Sequence, residues 1–572
     1  MRIWPIIALL LAGCATTPRQ VATGPVEVQI LGINDFQGNL EPPKISIDAT
    51  LADGSVVKVP AGGVAYLAGA AKQLRTGQRY SVTVSAGDMI GGAPFVSALY
   101  LDEPTIAAMD AVGVEYNAVG NHEFDKGSAE LLRMQRGGCE KHTTKTPCAI
   151  GRFEGAKFKF LAANVIRNDG TTLFPGVGIK DFGPVQVGFI GMTLRETATL
   201  VTPAGVAGLH FNDEASIANA WAKSLKLAGA DSIVLLIHQG ARTTGGYNDK
   251  ACPGLSGDIL PIIAKLVPEI DLVVSGHTHA AYVCEVPRTG GGRPLLLTSA
   301  GRYGTLISDI RLSFAPDGTL QGQRADNIIV QGEGYATTAV QVPVVAGVPR
   351  FAPDAAVNAL VARYVAAAAP AAARVVGRLA GPVTREFTAE REQTAGKLIA
   401  DAQLAASRGQ GAQIAFINSG GVRTDLIPAA NGSITYGQIF GMQPFGNNLV
   451  VKTLTGAQLK VLLEQQFASG SNTAEKPNML LPSQGFFFAY DLGRPAGDRI
   501  VEMRLEGNPI QPTLRYRVTV NNFMASGGNN FTVLTQGANA VDAGLDLDAL
   551  EAWLKEGAVV PEEWRVENRT PR

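Results

Sequence analysis

The feature that most constrains this chain is a pattern repeated through its first half, in which a short apolar segment runs into a polar turn. Each segment is rich in β-branched residues, has the length of a buried strand, and ends in a turn whose side chains can bind a metal. The segments are 26–33, 80–85, 117–119, 232–237 and 270–274, and the turns carry Asp35, Asp88, Asn121, His238, His277 and His279. In open α/β sheets, ligands bind beyond the carboxyl ends of the strands. The pattern therefore predicts an α/β fold in which these side chains converge on one site.

These residue types indicate a pair of divalent metal ions. Two neighbouring ions need one carboxylate that bridges them and separate oxygen or nitrogen ligands on each side. Four of the six histidines lie in these turns, which core packing does not explain. A hydroxide bound by the metals would have a lowered pKa and could attack phosphorus in line. His122 could donate a proton to the phosphoryl or leaving oxygen, with Asp125 accepting from its other ring nitrogen.

The motifs, taken in order, resemble those of the calcineurin-like metallophosphoesterases. They are 34–35, 87–88, 120–125, 238–240 and 276–279, and the Gly-Asn-His-Glu-Phe-Asp string at 120–125 is the most specific of them. The second half narrows the resemblance to the 5′-nucleotidase family through the segments 418–423, 443–447 and 522–528. The likeness covers residues 26–560, which is nearly the whole chain.

The resemblance implies an α/β fold with two domains. A four-layer αββα metallophosphoesterase domain would cover residues 26–340, and a linker with a helix would cover 341–376. A smaller α/β 5′-nucleotidase C-terminal domain, which binds substrate, would cover 377–560, followed by a tail at 561–572. The residues agree with this division, because a chain of 572 residues is too long for one core and an Ala-rich helical stretch lies in the linker.

The resemblance also implies a role for each site residue. One of two divalent ions (Zn, Mn, Mg or Co) would be held by Asp35, Asp88 and His279 with Gln37 beside them, and the other by Asp88, Asn121, His238 and His277. His122 and Asp125 would form the catalytic dyad. In the C-terminal domain, two arginines would clamp phosphate, two aromatic rings would sandwich the nucleobase, and further residues would contact the base or ribose. The arginines are Arg391 and Arg423, and the aromatic residues are Phe445 and Phe523. The residues that contact the base or ribose are Asn418, Gly421, Asn447 and Asn529.

Two positions depart from the family pattern. Gln37 stands where the family usually has His, and a glutamine carbonyl is a weaker metal ligand than imidazole. Asn529 stands where relatives commonly have Asp, and its amide lacks the charge with which a carboxylate accepts from ribose hydroxyls. We expect activity to survive the first change. The second change implies that the substrate need not be a simple ribonucleotide.

The first residues are typical of an exported lipoprotein. Arg2 precedes the short apolar run 3–11, which leads into Leu-Ala-Gly-Cys and resembles a bacterial lipobox ending at Cys14. We expect a signal peptide and lipidated Cys14 over residues 1–14 and a tether over 15–25. A plain signal peptide with a chance Cys14 is the alternative. Family analogy favours the outer membrane of a Gram-negative bacterium, with the protein facing the periplasm.

Four cysteines remain after Cys14, and an even number in an exported protein indicates disulfides. Cys139 and Cys148 flank a polar loop that they could close. Cys252 and Cys284 would then form the second bridge. None has the spacing of a zinc ribbon, so the sequence favours a structural role.

These observations predict an exported enzyme that hydrolyses nucleoside 5′-monophosphates to nucleoside and phosphate. Within the same superfamily, the alternatives are a UDP-sugar diphosphatase and a 2′,3′-cyclic nucleotide phosphodiesterase. The alternative from a different class is a nucleotide-binding surface lipoprotein whose catalysis is impaired by Gln37. The net charge of −1 gives no reason to expect a nucleic acid polymer as partner, and nothing in the sequence predicts a protein partner.

Overall fold

The computed structural model of the chain describes residues 22–336 and 340–571. The predicted signal peptide, the lipidated Cys14 and most of the predicted tether lie outside the described residues. The five strands predicted from the motif pattern are confirmed, with bounds that differ by at most three residues. They are Val26–Ile33, Ser81–Ser85, Val114–Ala118, Ser232–Ile237 and Leu272–Ser275.

The first half of the chain alternates strands and helices. Its strands are β1 Val26–Ile33, β2 Ile45–Thr50, β3 Val56–Ala61, β4 Ser81–Ser85, β5 Val114–Ala118, β6 Lys159–Leu161, β7 Val165–Arg167, β8 Val177–Asp181, β9 Gln186–Met192, β10 Leu209–Phe211, β11 Ser232–Ile237, β12 Leu272–Ser275, β13 Ala281–Val286, β14 Leu295–Ala300, β15 Leu306–Phe314, β16 Leu320–Ile329, β17 Tyr335–Ala336 and β18 Gln341–Val342. Its helices are α1 Val64–Arg75, α2 Phe95–Leu99, α3 Glu103–Val112, α4 Gly127–Arg136, α5 Thr197–Leu200, α6 Glu214–Leu227 and α7 Ile259–Ile263.

Two six-stranded sheets form the centre of this half, with the strand orders β16-β15-β1-β4-β5-β6 and β13-β14-β12-β11-β9-β8. Alternate residues of a central strand face opposite sides, and both sides are buried. In β11, Val234 and Leu236 pack into the core between the sheets, whereas Ile233 and Leu235 pack into the core that includes Ala218 of α6. Helices α1 and α3 cover the outer face of the first sheet. The predicted αββα arrangement is confirmed.

The second half of the chain forms a smaller α/β unit. Its strands are β19 Val375–Arg378, β20 Ile414–Asn418, β21 Ser433–Thr435, β22 Asn448–Thr455, β23 Leu480–Pro482, β24 Phe486–Tyr490, β25 Ile500–Leu505, β26 Asn508–Pro509, β27 Arg515–Asn521, β28 Ala538–Leu545 and β29 Val566–Asn568. Its helices are α8 Ala355–Ala372, α9 Thr394–Ser407, α10 Tyr436–Met442, α11 Gly456–Glu464, α12 Asn522–Ala525 and α13 Asp546–Lys555. A five-stranded sheet with the order β23-β20-β27-β22-β28 and a four-stranded sheet with the order β26-β25-β24-β29 hold the unit together.

Of the segment 561–572, which the sequence predicts to be a tail, the described residues up to 571 belong to this second unit. Strand β29 pairs in parallel with β24 at the edge of the four-stranded sheet. Just before it, the buried guanidinium of Arg565 forms an ion pair with Asp401 of α9 at 2.7 Å. A buried charge is stable only when it is paired, so this contact fixes the segment to the domain. A strand of three residues is too short to leave a periodic signal in the sequence.

Helix α8 joins the two halves by contributing to both cores. Its N-terminal side chains Val357 and Val361 belong to a core of the first half. Its later side chains Tyr364 and Ala368 belong to a core that is built mainly by the second half and also includes Tyr100, whose ring lies 5.1 Å from that of Tyr364. Asp354 caps the helix by accepting from the first free backbone N–H groups. By length and composition alone α8 could also cross a membrane, but its buried side chains lie in these two cores.

Both candidate disulfides are present and confirm the predicted structural role. Cys139 and Cys148 are joined with their Cα atoms 5.5 Å apart, and Cys252 and Cys284 are joined at 5.8 Å. The first bridge closes the polar loop between α4 and β6. The second attaches the loop after β11 to strand β13.

The loop closed by the first disulfide reaches the second domain through Lys145. The Lys145 ammonium donates to the carbonyl oxygen of Ala98 at 2.9 Å and lies 4.8 Å from the ring centroid of Phe440 in α10. Burial, together with the nearby charge of Lys126, lowers the pKa of Lys145 to about 8. This contact adds a second link between the domains.

We predict that Gly69→Ala destabilises the protein where α1 meets the chain that leads into α8. A Cβ atom at Gly69 would lie 1.9 Å from the carbonyl oxygen of Ala352, so the backbone must move to accommodate it. The free energy of unfolding should fall by about 1–3 kcal/mol, which urea denaturation would measure. Gly409→Ala is the matched control, because no atom of the described residues lies within 4 Å of a Cβ there. Equal stability of the two variants would contradict the close packing at Gly69.

Candidate metal centre and substrate cleft

The predicted metal ligands lie in the turns at the carboxyl ends of β1, β4, β5, β11 and β12. Five residues of these turns have left-handed backbones, with φ of 49° at Asp35, 44° at Gln37, 51° at Asp88, 71° at His277 and 58° at His279. This conformation costs free energy for residues other than glycine and is concentrated at functional sites. The strained backbone of these turns therefore indicates a functional site at the strand ends.

Glycines beside these residues allow the turns to approach one another closely. A Cβ atom at Gly120 would lie 2.2 Å from Oδ1 of Asp88, and one at Gly87 would lie 2.7 Å from Nδ1 of His238. No side chain larger than hydrogen fits at either position without moving the site. The glycines of the motifs are thus required by packing of the ligands themselves.

Glu123 holds two of these turns together, a role that the sequence did not predict. Its buried carboxylate accepts hydrogen bonds from the backbone N–H of Asp88 at 2.9 Å, Met89 at 2.9 Å and Gly120 at 2.7 Å. Burial and the charge of Asp88 raise the pKa of Glu123 to about 7, while the N–H donors favour its ionised form. Glu123 lies inside the Gly-Asn-His-Glu-Phe-Asp motif at 120–125, and this position was the signal in the sequence that could have indicated its role.

The ligand side chains converge as the strand-end pattern predicts. Oδ2 of Asp88 lies 3.0 Å from Nε2 of His238, and Oδ1 of Asp35 lies 3.4 Å from Nε2 of His279. Candidate ligand atoms of Asp88, His238 and His277 all lie within 4.8 Å of one another. Oδ1 of Asn121 lies 3.1 Å from Nδ1 of His277, which adds it to the same cluster.

This donor set fits a divalent cation. Nδ1 of His238 donates to the carbonyl oxygen of Ala86 at 2.8 Å, which assigns the ring hydrogen to that nitrogen and directs Nε2 at the cluster. Nε2 is buried and makes no hydrogen bond with the described residues, although Asp88 is close. Burial lowers the pKa of His238, but Asp88 outweighs it and raises the value to about 10. The buried carboxylates thus strongly favour a positive charge at this point.

His122 and Asp125 form the predicted pair. Nδ1 of His122 lies 2.9 Å from Oδ2 of Asp125, which also accepts from the backbone N–H of Gly92 at 2.9 Å. Burial lowers the pKa of His122, but the charges of Asp125 and Asp88 outweigh it and raise the pKa above its usual value. Asp125 therefore orients the ring and leaves Nε2 for a ligand.

A cleft between the domains brings the predicted residues of both halves together. The predicted residues that line it are Asn121, His122, Asp125, His277, Asn418, Gly421, Arg423, Phe445, Asn447, Phe523 and Asn529. The rings of His122 and Phe445 are nearly parallel, at 8°, with centroids 6.0 Å apart. The guanidinium of Arg423 lies 5.8 Å from the centroid of Phe445. Two of the predicted ligands, Asn121 and His277, thus line the same cleft as the His122–Asp125 pair and the aromatic rings.

Two predicted residues are placed differently from the expectation. Arg391 does not line the cleft, and its charge instead acts on Tyr490 of β24. The Arg391 backbone has a φ of 60° in a loop before α9, a conformation that the sequence pattern did not reveal. Oε1 of Gln37, the atom predicted to face a metal, accepts a hydrogen bond from Arg423 at 3.2 Å.

Sequence reasoning missed several residues in and near the cleft. Asn521 and the segment 200–202 line it. Arg385 lies close enough to Arg423, which does line the cleft, for burial and that neighbouring charge to lower the pKa of Arg385. Arg385 precedes Arg391 by six residues, so the arginines of this stretch were the signal, and only the fold decides which of them lies near Arg423.

Comparison with known proteins agrees with this geometry. Residues 28–281 match the calcineurin-like phosphoesterase family, and residues 375–536 match the 5′-nucleotidase C-terminal domain family. A 5′-nucleotidase precursor from Thermus thermophilus has 27% sequence identity and a TM-score of 0.74, and the match covers 95% of this chain and 100% of that one. Its first domain is thus a calcineurin-like phosphoesterase domain, which implies divalent metal ions, and candidate ligands for such ions lie at the strand ends.

Two relatives are longer proteins. Endonuclease YhcR of Bacillus subtilis is 29% identical over 93% of this chain, and cell wall protein Lmo0130 of Listeria monocytogenes is 30% identical over 92%. The chain spans 40% of the first protein and 66% of the second. The chain belongs to the 5′-nucleotidase family.

We predict that Glu123→Ala loosens the turns that carry Asp88 and Gly120. Three backbone N–H groups would lose a buried acceptor, so the free energy of unfolding should fall by about 3 kcal/mol. Metal affinity should fall about 10- to 100-fold, as for other residues that support ligands from behind. Urea denaturation and metal titration would measure the two effects. Glu140→Ala, at an exposed carboxylate of the disulfide loop, is the control. Unchanged metal affinity in Glu123→Ala would disprove the supporting role.

Proposed function

We propose that the chain hydrolyses nucleoside 5′-monophosphates to nucleoside and phosphate at a centre that holds two divalent ions. The observation that carries this proposal is one cleft, lined by the candidate ligands Asn121 and His277, by the His122–Asp125 pair and by Arg423, Phe445 and Phe523. A phosphate and a flat ring attached to the same small molecule would meet both groups of residues at once. The matched 5′-nucleotidase supports the same substrate class.

The ions would be held by Asp35, Asp88, Asn121, His238, His277 and His279, which lie in the cluster at the strand ends. When bound, they would stabilise charge on the phosphoryl oxygens and acidify a water. Gln37 stands beside this set, and its Oε1 accepts a hydrogen bond from Arg423, which leaves the second lone pair of that oxygen for a metal. Metal identity then depends mainly on the carboxylates and imidazoles.

The chain's own residues supply the remaining steps. His122, oriented by Asp125, would give a hydrogen bond or proton from Nε2 to the phosphoryl or leaving oxygen. Arg423 would bind phosphate through its fixed fork of donors. Phe445 and Phe523 would hold the base between their rings, which favours flat substrates.

The location of the protein is part of the proposal. The similarity to a cell wall protein and the two disulfides support an extracellular or surface location. We infer that a lipid on Cys14 anchors the chain to the outer membrane, facing the periplasm. The proposed domain limits are 26–340 and 377–560. They are supported by the family match at 28–281, which lies within the first domain, and by the match at 375–536, which lies almost entirely within the second.

The substrate class is tested by phosphate release from protein that lacks residues 1–24. The substrates are 5′-AMP, 5′-UMP, UDP-glucose and 2′,3′-cyclic AMP, each with Mn²⁺, Zn²⁺, Mg²⁺ or Co²⁺ added separately. We expect preferential release from the 5′-monophosphates. Preference for UDP-glucose or the cyclic nucleotide would replace the proposed substrate with one of these. No release from any substrate with any metal would contradict the enzyme and favour a nucleotide-binding protein.

We predict that His122→Ala lowers kcat by about 10²- to 10⁴-fold, because the proton donor of the dyad is lost. Metal content should stay close to that of the unmodified protein, since His122 supports the cluster only through its backbone N–H, which donates to Asp88. Steady-state kinetics and elemental analysis would measure both. His210→Ala is the matched control, since His210 is exposed and bonds Asn168 away from the cleft. Loss of metal in His122→Ala would mean that His122 is a ligand.

A further inference from the structure

Three asparagines form a hydrogen-bonded relay along one wall of the cleft. Nδ2 of Asn521 donates to Oδ1 of Asn418 at 3.2 Å, and Nδ2 of Asn418 donates to Oδ1 of Asn529 at 2.8 Å. All three residues line the cleft, and the first two are buried. The relay therefore ends at Asn529, on the substrate side.

The direction of the relay is fixed by the backbone. Oδ1 of Asn521 caps helix α12 by accepting from the N–H of Met524 at 2.8 Å. A backbone N–H can only donate, so the amide of Asn521 must present its oxygen there and its Nδ2 to Asn418. Oδ1 of Asn418 accepts from Nδ2 of Asn521, so the Nδ2 of Asn418 is the atom that points toward Asn529. The carbonyl oxygen of Asn529 is thus already engaged inside the protein.

Asn529 consequently offers a donor to the substrate. Its Nδ2 makes no hydrogen bond with any residue in the described part of the chain. Among the described residues that line the cleft, Asp125 is the one carboxylate, and its oxygens are occupied by His122 and Gly92. No carboxylate of this wall would therefore repel an anion placed beside Asn529.

Under the proposed function, the sugar of the substrate would join a phosphate beside His122 and Arg423 to a base beside Phe523. The sugar would therefore be the part of the substrate that lies near Asn529. Asn529 directly follows Gly528, where a Cβ atom would lie 2.4 Å from the Phe523 ring, so Asn529 sits next to the aromatic clamp. A donor at this place suits an acceptor on the sugar edge.

We propose that Asn529 selects nucleotides whose sugar carries a second phosphate on the 2′ or 3′ oxygen, so that nucleoside bisphosphates are substrates of this cleft. The inference rests on the proposed function. Water adds to the 5′ phosphorus, the bond from phosphorus to the 5′ oxygen breaks, and the 5′ oxygen takes up a proton. The products are inorganic phosphate and a nucleoside that keeps its 2′ or 3′ phosphate.

The test compares adenosine 3′,5′-bisphosphate with 5′-AMP, using calorimetric binding in the presence of a chelator and kcat/KM with added metal, with products identified by chromatography. In the unmodified protein, we expect the bisphosphate to be favoured by about threefold or more in both measurements. In Asn529→Asp, the new carboxylate should lower that preference by about tenfold or more, because like charges would meet. Asp tolerates the left-handed φ of 53° at this position, so the variant should fold.

Asn530→Asp is the matched control. It adds the same charge one residue away, at a side chain that bonds Ser471 and does not line the cleft. Its preference for the bisphosphate should stay within about twofold of the unmodified protein. The same preference in all three proteins, or a preference of the unmodified protein for 5′-AMP, would overturn the assignment of Asn529 alone. Failure to bind or hydrolyse either nucleotide would overturn the proposed function, and this inference with it.

Discussion

The hydrogen bonds from two neighbouring turns to the Glu123 carboxylate make the metal centre possible. The turns after β4 and β5 carry Asp88 and Asn121, and their backbone N–H groups point away from the ligands toward this one buried acceptor. Carboxylates brought this close repel one another, and left-handed backbones are costly, so the turns need support from behind. Glu123 supplies that support, while the glycines at 87 and 120 leave room for the ligands to meet.

The centre is completed from outside its own domain. Arg423, on the second domain, donates to Gln37, whose backbone lies in the first ligand turn. Phe445 lies nearly parallel to His122 across the same cleft. The candidate metal site and the residues proposed to bind substrate thus meet at a contact between the domains, and both halves of the chain line the cleft.

The sequence predicted those features that depend on short-range pattern. Runs of β-branched residues predicted the central strands, and the geometry of parallel sheets then brought Asp35, Asp88 and His238 together without further information. The rest depends on the conformation of loops and on distant partners. Whether Arg385 or Arg391 lies near Arg423 is decided by the loop before α9, and the orientation of Asn529 depends on a helix cap at Asn521. Periodicity contains no information on either.

Helix α8 has a further consequence for the molecule as a whole. Its first buried side chains belong to one core and its last ones to the other, so neither domain can lose its structure without exposing apolar surface of both. Loss of structure in either domain should therefore weaken the packing of the other across α8, although each domain has its own sheets.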